Sequence, residues 1–74
     1  MNLEDYVKDP LWSILVDTVH ATIMYPHHKS YIRDIMLPEK PDIQPQDLTA
    51  KLGISLGEAL VIIFELQMEK KPAS

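Results

Sequence analysis

The sequence predicts an all-α protein, a small bundle of four or five short helices folded as one domain over residues 1–74. Three observations predict it. Apolar residues recur at three- and four-residue spacing along several stretches. Proline, glycine and short polar residues mark where those stretches begin and end. The chain is 46% apolar and 24% charged, a globular composition. At 74 residues it supports a single core, because a chain this short buries only about 60% of its unfolded surface.

Each element has a local reason. Asn2 caps a first helix ending near Lys8, with Asp5 at its third helical position and Leu3, Tyr6 and Val7 on its apolar side. Asp9-Pro10 starts a second helix, since proline at the first helical position loses an N–H that has no partner there anyway. That helix is expected to run to Tyr25, with Trp12, Leu15, Val16, Val19 and Ile23 facing inward and Trp12 central to the core. Ser13, Asp17 and Thr18 face water, and Pro26 ends the helix. Ser30 then caps a short helix through Met36, for which a strand is the alternative reading. Pro38, Pro41 and Pro45 make Leu37 to Gln44 an extended connector.

The C-terminal part carries the sharpest signals. Pro45 opens a helix through Leu52, Gly53 supplies the left-handed residue that ends it, and Ile54 plugs the turn. Ser55-Leu-Gly-Glu58 fits a capping box, and the helix it opens runs to Lys70 or Lys71, before Pro72. The run from Leu48 to Leu66 sets Leu48 and Leu52 as core positions of one helix and Ala59, Ile62 and Leu66 as core positions of the next. Gly53 and Ile54 lie in the turn between them.

On these residues the segment from Pro45 to Leu66 resembles the helix-turn-helix unit of winged-helix and related DNA-binding domains, within a unit of about residues 45–71. Thr49 stands where that family usually has alanine, and only Gln67 to Ser74 follow, too few for the two-stranded wing. The resemblance therefore implies a reduced, wingless form. It places Leu56, Gly57, Leu60, Val61 and Phe64 on the outward face of the second helix, where the family meets the major groove. That face is wrong for DNA, because base edges are read by Arg, Lys, Asn or Gln and phosphates by cations. Here it is apolar and flanked by Glu58 and Glu65.

A helix apolar nearly all round must be covered on opposite sides. One reading gives the second cover to another protein or a second copy, with Leu56, Leu60, Val61, Phe64 and Met68 as anchors. The other has the first two helices wrap over Leu60 and Phe64 as ordinary core.

Composition narrows the function classes. Seven Lys and Arg against eleven Asp and Glu give a net charge of −4, the wrong sign for broad phosphate binding. The absence of cysteine excludes disulfides and thiolate metal sites and fits the cytoplasm, while Glu4 and Asp5 stand where a signal peptide has basic residues. The longest apolar run, Ala59 to Phe64, is far too short to cross a membrane.

His20 and Asp17, one turn apart, fall short of a metal site, and no phosphate loop or nucleophile elbow is present. Neither catalysis nor a metal or other cofactor is expected. Tyr6, Tyr25 and Tyr31 read as core-edge residues with hydroxyls in water, and Met24, Met36 and Met68 as gap fillers. Asp17, Asp34, Asp42 and Asp47 read as solvated faces and caps. The leading expectation is a protein-interaction module, a homodimer or an accessory subunit of a regulatory complex. The alternative is a DNA-binding transcriptional regulator using His27, His28, Lys29, Arg33 and Lys51 on phosphates.

Overall fold

A computed structural model describes residues 3–70, apart from the side chain of Lys70. Among them are five helical rods and no strand, the all-α bundle that the spacing predicts. The elements are α1 (Leu3–Val7), α2 (Trp12–His20), α3 (Tyr25–Tyr31), a π-helical turn (Ile32–Met36), α4 (Leu37–Glu39), α5 (Pro45–Leu52) and α6 (Leu56–Lys70). From α3 to α4 the chain is helical without a break, so residues 25–39 form one rod. Asn2, Lys71 and Pro72, expected to cap or end helices, lie outside the described residues.

The two ends of α2 differ from expectation. Asp9 Oδ1 accepts the Leu11 amide at 2.8 Å, which holds Pro10 in a turn, and the helix starts at Trp12. It stops at His20, five residues short of Tyr25. Thr22 Oγ1 donates to the Val19 carbonyl at 2.7 Å and the Thr22 amide bonds the same oxygen at 3.1 Å, a local arrangement that competes with continued helix. Ile23, expected on the apolar stripe, is therefore 93% exposed in the turn.

Pro26 lies in the first turn of α3, so it opens a helix instead of ending one. Ser30, expected as a cap, sits inside that helix. The connector is also shorter than its prolines suggest, because Leu37–Glu39 is helical. An α-helix would drive the Pro38 ring into the Asp34 carbonyl four residues back. The π turn relieves this by shifting the register one residue, with the Leu37 amide reaching the Ile32 carbonyl. Lys40 then leaves the helix at φ −141°, and Ile43 and Pro45 turn back into the core.

From Pro45 to Ser55 the expected helix boundaries are found, although the Glu58 carboxylate, expected to return to the Ser55 amide, meets His28 instead. The Asp47 carboxylate accepts the Gln44 amide at 3.1 Å as α5 begins. Gly53 ends that helix at φ 71°, with its amide on the Thr49 carbonyl at 3.0 Å, and Ile54 is buried. The Ser55 hydroxyl accepts the Glu58 amide at 3.0 Å, and α6 runs to Lys70.

The centre of the molecule is α6. Ala59, Ile62, Ile63 and Leu66 cluster with Ile32 of the π turn, Ile43 of the connector, Leu48 of α5 and Ile54 of the turn before α6. On its other side α2 crosses closely at Gly57, where an added Cβ would lie 2.8 Å from Leu15 Cδ1. Trp12 meets Phe64 edge to face, ring centroids 5.6 Å apart. It is half-buried at that junction and not the centre of the core.

An L side chain in the left-handed conformation costs about 1–2 kcal/mol, and nothing crowds a Cβ at Gly53. Gly53→Ala is expected to lower unfolding free energy in urea by about that amount, and Gly53→Asn by less, since asparagine visits this region readily.

Candidate functional site

The anchors read from the sequence separate into two groups. Val61 is fully buried and Leu60 is 4% exposed, both within the chain's own core. The expectation that they face outward is corrected here. Helix α2 meets this side of α6 at Gly57 and Phe64, and Leu60 lies beside Leu3 of α1, Ile43 and Pro45, so the wrapped reading of this face holds. Leu56 and Phe64 are half-buried, and Met68, 51% exposed, is the anchor that remains open.

Phe64 and Met68 form one wall of a groove of about 420 Å³ against Leu3 and Val7 of α1, with Glu4, Lys8 and Gln67 on its rim. The apolar side of α1 was legible in the sequence, but a helix of only five residues covers Phe64 and Met68 incompletely, and the groove this leaves was not. The clue to that side was Leu3 and Val7 at i, i+4.

A polar seam occupies another edge of α6. Glu58, Glu65 and Glu69 stand at i, i+7 and i+11, in line on the helix surface. Opposite them, α3 offers Tyr25, His28 and Lys29 at i, i+3 and i+4. Glu58 Oε2 lies 2.5 Å from His28 Nδ1, with both side chains largely buried. Glu65 accepts the Tyr25 hydroxyl and lies 2.7 Å from His20 Nε2 at the end of α2. Lys29 Nζ is 2.5 Å from Glu69 and 3.6 Å from Glu65, over the Tyr25 ring. The Tyr25 hydroxyl therefore reaches a carboxylate, not water.

This seam decides what the expected phosphate contacts are able to do. His28 and Lys29 are engaged with carboxylates of α6, and Arg33 Nε donates to Asp34 at 2.9 Å. His27 and Lys51 are exposed. These five residues present no continuous cationic strip. Among the described residues no group of three His, Asp or Glu is placed to hold a metal ion, and no helix is long and apolar enough to cross a membrane.

No family model, curated protein or solved structure matches the chain.

Glu58 is 9% exposed, and a buried acceptor that loses its partner costs about 1–3 kcal/mol, more when charged. His28→Ala is expected to lower stability by at least the low end of that range, with Glu58→Gln in the same background restoring part of the loss, as read by urea denaturation. Val61→Glu, which places a carboxylate in the core, is expected to abolish the helical dichroism of the chain.

The guanidinium of Arg33, hydrogen-bonded to Asp34 and adding its charge, holds the Asp34 carboxyl below the usual aspartate range. A depressed value in the fold means that the stabilisation is present above the ordinary aspartate range and is lost as pH falls through the lowered value. Carboxyl carbon shifts followed against pH are expected to give Asp34 a lower midpoint in the native chain than in Arg33→Ala.

Proposed function

We propose that the domain is a protein-interaction module, an accessory or regulatory subunit that holds a short apolar segment of another protein in the groove between α1 and the end of α6. The observation that carries this reading is the open apolar wall of Leu3, Val7, Phe64 and Met68. Apolar residues converging on one concavity with a polar rim are the ordinary make-up of a peptide-binding site.

Size favours a segment over a second copy. Standard interfaces engage roughly 20–30 residues on each side, whereas seven line this groove. Like copies each carrying a net charge of −4 also repel. A nucleic-acid partner finds little support, since the overall charge repels phosphate and His28, Lys29 and Arg33 already hold carboxylates.

Selection of random peptides displayed against the folded chain tests the proposal. Enriched peptides are expected to share apolar residues at helical or alternate spacing, and to bind Met68→Glu at least about ten-fold more weakly while that variant stays helical. Enriched peptides that bind Met68→Glu as tightly as the native chain would overturn the assignment of the groove. Sequence-selective duplex binding at physiological salt would overturn the function.

A further inference from the structure

We infer that α3 is a lever, held to α6 by the polar seam and hinged at the π turn, that lifts away from α6 while the rest of the bundle stays folded. Apart from the Tyr25 ring, whose centroid also lies 4.8 Å from that of the His20 ring, the seam is what attaches it to α6. No residue of α3 is fully buried, and the first fully buried side chain after it is Ile32, at the start of the π turn. The Tyr25 ring packs against the edge of the core, but its hydroxyl belongs to the seam.

The segment before α3 gives it no apolar anchor. Ala21, Thr22, Ile23 and Met24 are all exposed, Ile23 almost completely. The segment after it begins where helical bonding changes register, and such turns are common places for a helix to bend. A rod tied at one end to the core through Ile32, Met36 and Leu37, and at the other end by carboxylates, has its weakest attachment at the carboxylates. Local opening draws on regions with few buried apolar contacts, and α3 is such a region. Charged and titratable groups face the seam from three helices: His20 of α2, His28 and Lys29 of α3, and Glu58, Glu65 and Glu69 of α6.

Amide hydrogen exchange resolved by residue tests the lever on the full chain. In Glu65→Gln, which removes the charge shared by His20, Tyr25 and Lys29, the amides of His28 to Tyr31 are expected to exchange at least about ten-fold faster than in the native chain, with those of Ile62 to Leu66 unchanged. Raising the salt concentration of the native protein is expected to move the same amides in the same direction by a smaller factor. Asp34→Asn serves as a control, because its partner Arg33 lies outside the seam, and is expected to leave His28 to Tyr31 within two-fold of native. Acceleration of α6 by the same factor as α3 would show one cooperative unit and overturn the lever. Unchanged exchange of His28 to Tyr31 in Glu65→Gln would overturn the seam as its fastening.

Discussion

Ala59, Leu60, Val61, Ile62 and Ile63 point apolar side chains in every direction around α6, so this helix is stable only where other elements cover it on opposite sides. The rest of the chain is arranged to do so. The stretch from the π turn to Ile54 supplies one cover through Ile32, Ile43, Leu48 and Ile54. The first half supplies the other through α2, which comes close because Gly57 has no side chain to hold Leu15 away. Among the described residues, six of the eleven buried apolar residues belong to α6, so the core is built round this one helix.

Where α6 is not apolar it is acidic, and the acids are matched. A carboxylate as buried as Glu58 is tolerable only with a partner, and His28 stands there. Glu65 and Glu69 collect Tyr25, His20 and Lys29 in the same way. The seam thus does for α3 what apolar packing does for α2 and α5. This division of labour separates the parts of the bundle that resist opening from the part that is able to move.

The same division shapes the surface offered to partners. Of the residues that the sequence presents as a loose basic cluster, His28 and Lys29 are drawn into the seam and Arg33 into its pair with Asp34, while His27 stays exposed. Exposed apolar side chains are scattered over Leu11, Ile14, Ile23, Met24, Ile35 and Met68, and the groove is where apolar residues converge on one concavity, since α1 stops short of covering Phe64 and Met68. A concavity of that size and composition is suited to a short segment of another protein, which is the reading proposed for the domain.

Local chemistry in the sequence determined the α5–α6 unit by itself. Pro45, Gly53 and Ser55 act within a few residues of where they stand, through a missing N–H, a left-handed turn and a hydroxyl cap, so their effects survive any packing. The all-α class was legible for the same reason. The middle of the chain was not, because Pro26 and Pro38 each permit two outcomes. Pro26 opens a helix once Thr22 has closed α2 on itself, and Pro38 stays in one once the π turn moves the Asp34 carbonyl aside. Only the tertiary structure decided whether Leu60 and Val61 face outward or inward, since periodicity reports that a face is apolar and not what covers it. The cover is α2, through a contact between Leu15 and Gly57 that spans 42 positions of the chain and leaves no mark in either local pattern.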